Sequence, residues 1–352
     1  MSSSLYTFRT LSIYGVAALW GLMAVNGTLG LLVQTAWYRV YPTGTTHNFA
    51  WTGIWPVDFQ IGLLVSFFYS LFAVAELPDD GPFLLGLDLL LALAVFNLMT
   101  LVEDRRNRKT GSLRVPVWWQ SLWNFFGAAC VLPVYIGLYV EKRARTSPGR
   151  IPAPQAQALV FSALWLLALS LPTLLPGLLL SSPYRIQAGV VMWLAGPFTL
   201  GPFQDLVAYS LSGHTATRGL GFRNPVKAAY TILGVASALV HVAVVLGALV
   251  DSHTSVSRIF VPQHARLVPG TQTALIEGAM LFTQYDYIGI TLTTLAAGFF
   301  LLRRRVDNKR AVRSQGNTSS GMHTMAGLTA LFGPGAGMAW LLCKKEDELS
   351  AI

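Results

Sequence analysis

The stretch PFLLGLDLLLALAVFNLMTLV, residues 82–102, is apolar almost throughout and holds a single charged residue, Asp88. As a helix at roughly 1.5 Å per residue it is about 30 Å long, the thickness of the hydrocarbon core of a bilayer. Comparable runs occupy 11–35, 57–77, 115–140, 156–180, 186–210, 228–250, 273–302 and 323–343. Polar segments punctuate them, among them Tyr41-Pro-Thr-Gly-Thr-Thr, Glu103-Asp-Arg-Arg-Asn-Arg-Lys and Arg303-Arg-Arg-Val-Asp-Asn-Lys-Arg. The pattern predicts an all-α, polytopic transmembrane helical bundle of about eight or nine spans. Residues 1–352 read as one integral membrane domain.

Composition agrees. Of 352 residues, 53% are hydrophobic and 12% charged, and the mean hydropathy is +0.51. A net charge of +9 raises the question of nucleic acid, but the basic residues lie between apolar runs, where lipid headgroups are the expected neighbours. The expected partners are the lipid bilayer and a small molecule, with no nucleic acid; oligomeric state is not readable. Cys130 and Cys343 form no disulfide framework or zinc spacing. The stretch from Leu11, preceded by Arg9, is too long for a signal-peptide core and reads as the first span. Orientation stays open, because the basic loops after the third and fourth runs vote for opposite sides.

A carboxylate near the bilayer centre costs on the order of 2.5–3.5 kcal/mol, so each acid inside a run asks for a partner, a proton or a function. Asp58 opens the second run in Trp55-Pro-Val-Asp; Asp88 lies in the third; Glu277 and Asp286 share the eighth. Asp205 follows Gly196-Pro and Gly201-Pro, pairs that loosen a helix, and shares a face with Gly201 and Tyr209 at helical spacing. Asp286 stands in Gln284-Tyr-Asp-Tyr, a polar and aromatic interruption that includes Tyr285. Glu277 falls on the opposite face of that run, about 13 Å away, so the two are not a dyad. Glu103 and Asp104, beside basic residues, read as an ion-paired helix end. In the fourth run Gln120, Asn124, Gly127 and Tyr135 fall on one stripe, crowded by Trp118, Trp119 and Trp123. Such a stripe lines a pocket or bonds neighbouring helices. His241 reads as a satisfied core histidine.

Phosphate loops, zinc-protease motifs, cysteine clusters and nucleophile elbows are absent from the sequence. So are the Asp-rich motifs that hold magnesium diphosphate, since Asp79-Asp80 is followed by Gly-Pro-Phe. No metal or cofactor is expected.

The combination of His47-Asn-Phe-Ala-Trp before Trp55-Pro-Val-Asp, Gln120-Ser-Leu-Trp-Asn-Phe-Phe-Gly, Pro133-Val-Tyr, Gly201-Pro-Phe-Gln-Asp and Gln284-Tyr-Asp-Tyr resembles the fungal membrane-bound terpene cyclases of meroterpenoid pathways. The likeness is nearer to the larger ascochlorin and ascofuranone type than to the shorter pyripyropene and paxilline type. It implies a metal-independent lyase or isomerase of secondary metabolism that protonates a terminal epoxide or alkene of a prenylated, usually farnesylated, aromatic or cyclohexenone compound. Rings then close through a carbocation. By the same resemblance Asp205 or Asp286, with Asp58 as third candidate, supplies the proton, and Gln120, Asn124, Trp123, Tyr135, Tyr209 and Tyr285 contact substrate. The shorter enzymes carry a Glu directly after the Trp, where Thr52 follows Trp51 here. An endoplasmic reticulum or other endomembrane location is expected. Two rival readings use the same buried acids: a sterol-isomerase-like lipid-binding protein, and a proton-coupled transporter.

Overall fold

The computed structural model describes residues 3–106, 113, 115–145, 149–212, 224–252, 254–303 and 315–350. Among the described residues fourteen helical segments follow in order: α1 (Ser3–Val16), α2 (Leu22–Val25), α3 (Thr28–Tyr38), α4 (Trp55–Phe72), α5 (Gly81–Arg106), α6 (Pro116–Phe126), α7 (Ala128–Arg145), α8 (Ala153–Leu178), α9 (Pro183–Leu194), α10 (Gly196–Ser212), α11 (Pro225–Val250), α12 (Val256–Phe260), α13 (Ala274–Arg303) and α14 (Gln315–Ser350), the last kinked at Gly333. A π-helical turn, Ala17–Gly21, joins α1 to α2. Seven helices among the described residues are long and apolar enough to cross a membrane, or eight if the bent pair α9 and α10 is one span. This is the all-α polytopic bundle expected from the sequence, and a count of eight lies within the eight or nine spans expected.

Glycines mark where apolar runs break or bend. The run at 11–35 breaks at Gly27, whose φ of 83° ends the helix, while the Asn26 side chain accepts the Thr28 amide at 3.0 Å. The run at 115–140 breaks at Gly127, with φ 86° and ψ 142°, so α6 and α7 are separate helices and the polar stripe from Gln120 to Tyr135 does not continue through it. The run at 186–210 bends by 54° between α9 and α10.

Helix α5 is apolar all round and sits at the centre, packed by α4, α8, α11, α13 and α14. Charges gather at its two ends. Near its start, Arg258 binds Asp79 at 3.0 Å and Glu277 at 2.8 Å. Near its finish, Arg105 binds Asp104 at 2.9 Å, and Arg106 pairs with Glu103 at 3.6 Å and with Glu346. The 26 residues of α5 rise about 39 Å, enough to hold these clusters on either side of about 30 Å of hydrocarbon. The apolar middle of the bundle therefore occupies the bilayer, and Asp88 lies within it.

Candidate active site

Between α4, α5, α6, α9 and α13 lies a cavity of about 100 Å³, within an open recess of about 840 Å³ that takes in space beyond its mouth. Its walls are aliphatic and aromatic, with Trp20, Phe67, Phe68, Trp123, Trp193 and Phe282 among the rings. Phe282 meets Phe67 edge to face at 5.0 Å between centroids, and Trp193 meets Phe68 likewise at 4.9 Å. Polar groups on this wall are few: Asn124, Thr283 and Asp286, the last being the one carboxyl group among the lining residues. The hydroxyl of Thr283 is occupied, donating to the Ala279 carbonyl at 2.8 Å.

Asp286 is held by the break at Gly127. Ending α6 there starts α7 inside the apolar band, and a helix start leaves backbone N–H groups without partners of its own. Ala129 directs its N–H to Asp286 Oδ1 at 2.6 Å. A Cβ on Gly127 would run into the Leu19 and Phe282 side chains, so only glycine permits both the turn and the close packing. One oxygen of Asp286 is thus fixed as an acceptor by α7, 157 residues away in sequence yet beside it in space.

The remaining candidates lie elsewhere. Asp205 does not line the cavity: its side chain is 53% exposed, bound to Arg105 Nη2 at 3.0 Å and to Gln155 Nε2 at 3.0 Å. Tyr209, one turn on, is 79% exposed. Asp58 closes the turn before α4, accepting the amides of Trp51, Thr52 and Gly53 at 3.2, 2.7 and 3.0 Å and the Thr52 hydroxyl at 2.8 Å. Tyr135 is buried against Trp119 and Trp123 rather than on the cavity wall. Tyr285 shares a hydrogen bond with His264 at 2.8 Å. Gln120 is buried, and its amide donates to Thr100 Oγ1 at 2.9 Å. Trp123 and Asn124 do line the cavity with Asp286.

Sequence reasoning missed one junction. Asp88 Oδ2 accepts from Tyr287 Oη at 2.8 Å and meets His241 Nδ1 at 2.7 Å, tying α5, α11 and α13 together in the interior. All three residues were visible as polar interruptions of apolar runs; their meeting was not.

The CtvD domain family matches residues 4–350. A curated relative named terpene cyclase DEP1, from Alternaria brassicicola, is 28% identical over 97% of this chain and 98% of its own length. Another of that name, from Fusarium langsethiae, is 29% identical over 96% of this chain and 97% of its own. No solved structure matches. Spanned almost end to end by the family, the chain belongs to the CtvD domain family and is an enzyme that cyclises terpenoids.

Proposed function

We propose that the enzyme cyclises a prenylated aromatic or cyclohexenone compound, usually farnesylated, in meroterpenoid biosynthesis, and that Asp286 delivers the initiating proton. The observation that carries this is the placing of a single carboxyl group on the wall of a cavity whose other lining residues are aliphatic and aromatic apart from Asn124 and Thr283. With Oδ1 held as acceptor by Ala129, the proton of the neutral acid resides on Oδ2. It passes to the oxygen of a terminal epoxide, and the C–O bond to the more substituted carbon breaks as the next double bond attacks that carbon. With an alkene the same proton forms a C–H bond instead. Each closure moves the positive charge along the chain, until loss of a proton from carbon, or from a hydroxyl that captures the cation, restores the acid. Product and substrate are isomers.

The rings of Trp20, Trp123, Trp193 and Phe282 offer negative π faces to a passing cation without a lone pair to trap it. An apolar wall also keeps out the water that would quench the cation. A polyprenyl tail dissolves in the bilayer, so a membrane enzyme, in the endoplasmic reticulum or another endomembrane, meets its substrate there.

The test is Asp286→Asn, which keeps shape and removes the transferable proton. Expressed in membranes and fed a farnesylated phenol and its terminal epoxide, the variant is expected at wild-type abundance, with formation of isomeric products reduced by about 100-fold or more. Near wild-type turnover by this variant would refute the assignment.

A further inference from the structure

A second hollow, with about 20 Å³ of enclosed room inside an open recess of about 350 Å³ that takes in space beyond its mouth, adjoins the aromatic cavity and shares Leu90, Asn124 and Trp193 with it. Its lining is of another kind, adding Asn97, Gln120 and Ser170 to Asn124 and containing no carboxyl group. Along α5 the residues Leu90, Ala94 and Asn97 form one stripe leading from the aromatic cavity into this annex. Asn97 lies roughly 24 Å along α5 from Gly81, within the apolar band, where a polar group needs a partner.

Two of the four polar residues are occupied by the protein. Gln120 Nε2 donates to the Asn97 carbonyl at 3.2 Å and to Thr100 Oγ1 at 2.9 Å, and Ser170 donates to the Leu166 carbonyl at 3.4 Å. The other two are not. Asn97 Oδ1 is shielded from solvent and has no hydrogen-bond partner among the described residues. The Asn124 side chain, on the boundary of both spaces, likewise makes no hydrogen bond among them. An amide left unbonded inside the bilayer band is unfavourable, and the shared wall supplies the route by which a ligand would satisfy it.

We infer that this annex takes the hydroxyl of the substrate's polar head, a phenolic or enolic ring lying at the wall shared with the aromatic cavity, and that its O–H and O atoms bond to the amides of Asn97 and Asn124. The apolar tail then lies in the aromatic cavity with its far end at Asp286. The inference rests on the prenylated substrate class proposed above, and it separates the two halves of that substrate onto two sets of residues. Having no acid, the annex binds and takes no part in proton transfer.

Binding of inert probes tests it apart from the chemistry. A phenol carrying a saturated farnesyl-length tail, and its methyl ether, are titrated into the purified full-length protein in detergent, with the quench of Trp fluorescence as signal. Wild type is expected to bind the phenol about tenfold more tightly than the ether, the measure of one good hydrogen bond lost. Asn124→Leu, and independently Asn97→Ser, are expected to shrink that preference to about threefold or less. Equal binding of the two probes by wild type, failure of both to bind, or a full preference kept by both variants overturns the inference. Turnover of the unsaturated substrate by the same wild-type preparation is read separately. A preference that behaves as expected beside absent cyclisation refutes the proton-transfer reading and leaves the annex standing, whereas cyclisation without the preference does the reverse.

Discussion

His47 and His241 are both buried and are held differently. His241 faces Asp88, whereas His47 directs Nε2 to the Gly62 carbonyl at 3.1 Å, and its Nδ1 has no hydrogen-bond partner among the described residues. Burial pushes the His47 pKa down from its ordinary 6.5, against the smaller upward pull of that hydrogen bond. The folded protein then takes up this proton less readily than the unfolded chain. Its contribution to stability is complete above the unfolded pKa of about 6.5 and is lost as pH falls through the lowered folded value. His47→Gln, which keeps a donor toward Gly62, is expected to flatten the fall in melting temperature in detergent below about pH 6.5. An unchanged slope would assign the acid sensitivity to other groups. Single residues also show the reach of the sequence. Asp286 was legible because a polar triplet interrupts a long apolar run. Asp205 stood in an equally conspicuous setting, and its partner Arg105 is brought to it by tertiary packing that no local spacing encodes. Asn97, alone among leucines, gave no local sign of the hollow beside it.

Helices were easier to find than their breaks. Their existence follows from apolar length, which the bilayer imposes on any crossing segment. Gly127 fits the stripe from Gln120 to Tyr135, since a glycine in a helical pattern leaves the periodicity intact while removing the Cβ that would forbid φ 86°. The break serves the site twice, opening the cavity wall at Gly127 and turning the start of α7 toward Asp286. Gly127→Ala is expected to cost about 1–3 kcal/mol from backbone strain alone, more once its methyl displaces Leu19 and Phe282. A lowered melting temperature together with a raised KM for the prenylated substrate is the expected result. An alanine variant as stable and as active as wild type would show that the turn is not required.

At the scale of the whole molecule, membrane class was readable from composition, and the runs that are broken were not told from those that are whole, because both have the same hydropathy. The centrality of α5 was hidden for a related reason: a segment apolar on every side looks alike whether lipid or protein surrounds it. That ambiguity has a consequence for biosynthesis. When α5 leaves the ribosome, α8, α11, α13 and α14 have not been made, and its whole circumference meets lipid; its apolar surface suits that interval, apart from Asp88. A nascent chain ending at Ser212 lacks both His241 and Tyr287, the groups that later receive this acid. Such a fragment is expected to be cleared rapidly from membranes, and Asp88→Leu within it to prolong its half-life by removing a cost on the order of 2.5–3.5 kcal/mol. In the full chain the same substitution is expected to destabilise, because it removes the acceptor that two buried groups share and leaves them only their mutual bond at 3.1 Å. A fragment as durable with Asp88 as without it would sink this account. If it holds, the acid that makes α5 a poor resident of lipid is also what summons α11 and α13 to enclose it, so that the order of synthesis is written into the placing of one carboxyl group.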